Sequence, residues 1–69
     1  MPITMCSSGA SAVIRKIGGR GDTKRFLESL GFTPGETVSV VSDSPSGLIL
    51  NVKESRVALD RSLAQRIMV

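Results

Sequence analysis

Apolar residues recur with two different periods along this 69-residue chain, and the change of period falls between Leu30 and Val38. Before it, Phe26, Leu27 and Leu30 stand at i, i+1 and i+4, the spacing of one helix face. This predicts a helix from about residue 22 to 30, with Asp22 or Thr23 as its N-cap. Gly31 stands where a left-handed residue ends a helix, and Phe32 where the hydrophobic contact of such an ending falls, in reach of Phe26 and Leu27. Pro34 cannot rejoin the helix, so Pro34-Gly35 turns the chain into Glu36–Val41.

From there the period is two. Val38 and Val40 alternate with Thr37 and Ser39, and Leu48, Leu50 and Val52 share a face of the next strand, Leu48–Lys53. Asp43–Gly47 is dense in turn formers and links the two, while Glu54-Ser55 reads as the connection to Arg56–Asp60. These three strands are expected to form an antiparallel meander. Asp60 is placed to cap a short helical turn carrying Leu63, Ala64 and Ile67, with Ile67–Val69 returning as a closing strand. Upstream, Ile3–Met5 reads as a short strand. Ser11–Ile17 reads as a second, with Val13 and Ile17 on one face and Arg15 on the other. Gly18-Gly19-Arg20-Gly21 separates it from the helix.

Five or six short strands in so short a chain cannot fill two separate sheets, and closure limits exposed edges. The expected fold is mainly β: a small SH3-like barrel with one inserted α-helix (about 22–30) and a short C-terminal helical turn, a single domain over 1–69. Phe26, Leu27 and Leu30 would plug one open end. Leu30, Phe32, Val38, Val40, Leu50, Val52 and Leu59 are the expected core.

Size and composition narrow the context. A domain this small buries only about 60% of its unfolded surface, and Cys6, its only cysteine, has no intrachain disulfide partner. That usage fits a reducing cytoplasm. The N-terminus lacks a charged n-region and a long apolar run, so no signal peptide is expected, and no stretch approaches the roughly 20 apolar residues of a membrane span.

The net charge of +3 is uneven. Residues 1–27 hold five cations (Arg15, Lys16, Arg20, Lys24, Arg25) against Asp22 alone, whereas residues 28–69 hold four against five acids. Such a region suits nucleic acid, anionic lipid or an acidic protein face; its bland reading is a solubilising surface. The one dense cluster borders the helix. Arg20, Lys24 and Arg25 beside Phe26 and Leu27 make a candidate partner-binding face, an apolar edge rimmed by positive charge. The competing reading puts Phe26 and Leu27 both in the core.

Catalytic chemistry is poorly supplied. Without histidine there is no Ser–His or Cys–His pair, and the six acids form no paired-carboxylate motif. One thiol and no imidazole make no transition-metal site. Gly18–Gly21 before a helix lacks both the P-loop ending and the dinucleotide spacing. No catalytic residue, metal ligand, cofactor or small-molecule substrate is assigned. A basic barrel binding nucleic acid is the alternative reading, yet Phe26 and Phe32 are the only aromatics and offer no stacking platform.

The run Lys24–Gly35, followed by Val38-Ser39-Val40, the turn around Pro45 and Gly47, Val57-Ala58-Leu59 and Ala64–Val69, resembles the signature of the FeoA family over nearly the whole chain. Leu48 after Gly47 and Asp60 depart from that pattern. The resemblance implies an SH3-like fold and a cytoplasmic accessory role in bacterial ferrous-iron uptake. It also implies a partner, the cytosolic part of the FeoB-type GTP-binding permease, which would hold the protein at the membrane periphery. Similar modules end iron- and manganese-dependent repressors. The resemblance implies no chemical reaction of the protein's own, in line with the missing catalytic groups, and gives neither oligomeric state nor docking surface.

Overall fold

The computed structural model describes residues 1–69. A 3-10 turn at Ile3–Met5 leads to β1 (Ser11–Val13), β2 (Lys16–Ile17) and the helix α1 (Gly21–Ser29). Three longer strands follow, β3 (Thr37–Ser44), β4 (Gly47–Val52) and β5 (Ser55–Asp60), then the one-turn helix α2 (Arg61–Ala64) and β6 (Ile67–Met68). One antiparallel sheet has the order β1-β3-β4-β5; β2 and β6 form a second, two-stranded sheet. This is the expected SH3-like architecture of mostly strands with one inserted helix.

α1 ends as its sequence dictates. The amide of Gly31 donates to Glu28 O (3.0 Å) and that of Phe32 to Leu27 O (3.1 Å), the paired bonds of a Schellman ending. Gly31 has φ +107°, a conformation a side chain would strain. Phe32 is thereby swung fully into the core. The start of α1 differs from expectation. Its N-cap is Arg20, in extended conformation, and neither Asp22 nor Thr23 supplies a side-chain cap; Asp22 lies in the first turn, where its charge favours the helix dipole.

Thirteen residues are buried and all are apolar. Phe32, Val38, Val40, Leu50, Val52 and Leu59 are among them, as their alternation requires, whereas Leu30 is only partly buried against the core. Ile3 is buried too, but in the 3-10 turn rather than a strand. The expected strand Ser11–Ile17 is two strands in two sheets. The Ile14 amide bonds Glu36 O, while the next amide, Arg15, bonds Met68 O, so the chain changes sheet between them. That corner resets the alternation: Ile14 and Ile17 are buried, and Val13 is 55% exposed.

The hairpin loops also depart from expectation: the one between β3 and β4 is shorter, and the one between β4 and β5 keeps two residues but falls one position earlier. β3 and β4 pair up to Ser44 and Gly47 around Pro45-Ser46, after a bulge between Val40 and Ser42. β4 and β5 pair up to Val52 and Ser55, making the loop Lys53-Glu54, with Lys53 at φ +54°. Asp60 caps α2 as expected, its carboxylate accepting from the Leu63 amide at 2.8 Å. Arg61 ties α2 back to the β3–β4 hairpin by donating to Asp43 and to Ser44 O. The barrel closes where Met68 pairs with Lys16 on one side and Pro2 on the other. The Met1 ammonium also reaches Val69 O at 2.9 Å.

Candidate functional site

With every buried side chain apolar, no desolvated polar or charged side chain marks a catalytic centre. No group of three His, Cys, Asp or Glu side chains is placed to hold a metal ion. Cys6 is half-buried against the core. Asp60 has a pKa lowered from the ordinary aspartate value, because its carboxylate accepts first from the Leu63 backbone amide and then from the Ser62 hydroxyl. Hydrogen bonds to the charged form favour it. This is capping chemistry. The chemistry available to a partner therefore lies on the surface.

α1 divides the expected docking residues. Leu27 is fully buried, so it belongs to the core and offers a partner nothing. Phe26, expected beside it in the barrel mouth, is 49% exposed. Residues on a helix step by about 100°, and a helix of nine residues presents only a narrow stripe to so small a core. Thr23, Leu27 and Leu30 occupy that stripe, being the positions of α1 and its C-cap that are buried or partly buried on one line. Phe26 flanks the stripe on one side. Lys24, two positions away and so about 200° around the axis, flanks it on the other.

Arg25 projects outward between them and pairs loosely with Asp22 at 3.6 Å, both side chains being largely solvated. Such a pair contributes well under about 1 kcal/mol and leaves the guanidinium free for another anion. The face containing Phe26 thus runs from Phe26 to Arg25, with Asp22 and Ser29 between them around the axis; the Ser29 hydroxyl donates to Phe26 O at 2.6 Å.

Arg20 acquires a neighbour that its sequence surroundings do not reveal. The Gly18 amide donates to Arg66 O at 2.6 Å, and the Arg66 side chain lies over Gly19 close to Thr23. Gly19, Arg20, Thr23 and Arg66 line a shallow cleft at the start of α1 that contains no acidic side chain. Arg66 stands far from Arg20 in sequence, and only the β2–β6 pairing unites them. A correct strand-pairing map was the one signal that would have found it.

The whole chain, residues 1–69, matches the FeoA domain family. A structure of an iron uptake regulatory protein (FeoA) superposes with TM-score 0.90 at 31% identity, over 97% of this chain and 91% of that one. FeoA of Stenotrophomonas maltophilia, crystallised with zinc, superposes with TM-score 0.85 at 30% identity, over 99% and 86%. The "Putative Fe(2+) transport protein A" of Methanocaldococcus jannaschii is 28% identical over 68 residues, 99% of this chain and 83% of that protein. With the family model matched end to end and the barrel reproduced in its solved members, this chain belongs to the FeoA family.

Proposed function

We propose that this chain is a non-enzymatic, cytoplasmic accessory protein of ferrous-iron uptake that acts by binding the cytosolic part of a FeoB-type permease. The iron is the cargo of that partner, not a resident of this barrel. The observation that carries the reading is Phe26: a half-exposed aromatic ring on a FeoA-family helix, beside the solvated guanidinium of Arg25. An exposed aromatic contributes affinity once a partner covers it, and flanking cations speed encounter with an acidic surface.

The test measures binding of the purified chain to the permease's cytosolic region by interferometry, with random oligonucleotides as the competing ligand. Retention of the permease region alone is expected, weakened about tenfold or more by Phe26→Ala and by Arg25→Glu. Binding of the oligonucleotides instead would favour the nucleic-acid reading. Unchanged permease affinity in both variants, at low and moderate salt, would remove this face as the docking site.

A further inference from the structure

The outward edge of β5 carries no partner strand. β5 ends the strand order of the larger sheet, and no backbone bond outside the regular elements reaches it. Which of its groups face outward follows from the opposite side of the sheet. Val40 receives the Gly9 amide and donates to Ala10 O, so its backbone groups point away from β4. In the Val40–Leu50 pair, Leu50 therefore turns its own groups toward β5, where it meets Val57. Alternation then directs the N–H and C=O of Arg56 and Ala58, and the N–H of Asp60, to the open edge.

We propose that two chains associate through antiparallel β5–β5′ pairing centred on Ala58, joining their sheets across a two-fold axis. In this register Arg56 lies directly opposite Asp60 of the second copy, and Asp60 opposite its Arg56. All three side chains stand on the outer, exposed face of the sheet, so each opposite-charge pair meets on one surface. Neighbouring registers lose this match. Centring on Arg56 sets arginine against arginine, and centring on Val57 leaves Asp60 facing the Glu54 loop residue. A slip of one residue sets outward-facing amides against residues whose groups already bond β4.

Both charged groups retain capacity for the contact. Arg56 uses only its Nε, donating to Asn51 Oδ1 at 3.2 Å, which leaves its terminal nitrogens free. Asp60 takes its two intrachain bonds on Oδ1, which leaves Oδ2. Ala58 is small and exposed, so nothing obstructs approach at the axis. A two-fold contact of this kind is self-complementary and closes. Its footprint is a single strand, so association is weak and concentration-dependent.

The experiment is sedimentation equilibrium of the full chain from about 10 µM to 1 mM, with amide NMR over the same range. A reversible monomer–dimer equilibrium is expected, with concentration-dependent shifts and exchange protection at the Arg56 and Ala58 amides. Arg56→Asp, which sets like charges opposite, should weaken the dimer at least tenfold. Asp60→Asn, which keeps a capping oxygen, should weaken it less. Ala58→Pro removes only an outward amide and should abolish it. Unfolding melts of each variant verify the fold. A monomer at 1 mM, or a dimer indifferent to both Arg56→Asp and Ala58→Pro, would overturn the proposal.

Discussion

Gly47→Ala should be among the most damaging one-methyl changes in this domain. Gly47 pairs with Asp60 at the point where β5 runs into α2. A Cβ on Gly47 would penetrate the Leu59 carbonyl oxygen and stand 3.2 Å from both Leu59 C and Asp60 Cα. These are backbone atoms of a paired strand, so no rotamer change relieves the contact. The strands must part, at the position where Asp60 also caps α2. Overpacking of this kind costs about 3 kcal/mol. A 69-residue domain has about 3–10 kcal/mol in total. At about 4–8 °C per kcal/mol, the melting temperature should fall by about 12–24 °C. The control is Gly18→Ala, whose Cβ would meet its nearest neighbour, Arg66 O, at an ordinary 3.5 Å and should be nearly neutral. Urea unfolding with fitted slopes reads both. A Gly47→Ala midpoint equal to wild type, or a larger loss from Gly18→Ala, would refute the reasoning.

Ile14→Ala should cost about 2–5 kcal/mol and Val13→Ala within about 0.5 kcal/mol, because the change of sheet buries the first and leaves the second in solvent; paired urea titrations decide it. For Asp60 the sign follows from its lowered folded-state pKa. Its contribution is complete above the ordinary aspartate value and fades as pH falls through the lowered one. The stability advantage of wild type over Asp60→Asn should therefore be present at neutral pH and vanish in acid, as thermal melts across an acid pH series would show.

Among features decided by neighbouring residues, the end of α1 and the start of α2 were legible in the sequence, whereas the start of α1, expected at Asp22 or Thr23, lies at Arg20 with no side-chain cap. The Gly31-Phe32 ending of α1 and the Asp60 cap need nothing beyond a few adjacent positions, and both are present. Features decided by distant strands were not. Val13 and Ile17 share a parity, but parity survives only while a strand stays in one sheet, and the corner after Ile14 breaks it. Gly47 reads as a turn former, whereas the structure needs it for the close passage of β5. In the candidate site, Arg20 and Arg25 are exposed as expected, and Leu27 was lost to the core because adjacency in a helix separates faces. Arg66 was invisible, since its place beside Arg20 is set by pairing across most of the chain.

The closure of the barrel by Met68 has a consequence for how the chain folds. β3, β4 and β5 are joined by two-residue loops and can form their ladder from local encounters. Met68 instead meets Lys16 and Pro2, partners from the opposite end of the sequence. Each doubling of a flexible loop costs about 0.6 kcal/mol, so closing roughly 50 residues rather than about six adds about 2 kcal/mol. The meander should thus be structured in the transition state, with β6 zipping onto β2 and the N-terminus afterwards. The same order run backwards makes that seam the first part to open, so Ile67 and Met68 should exchange their amide protons through a local opening far below the global unfolding free energy.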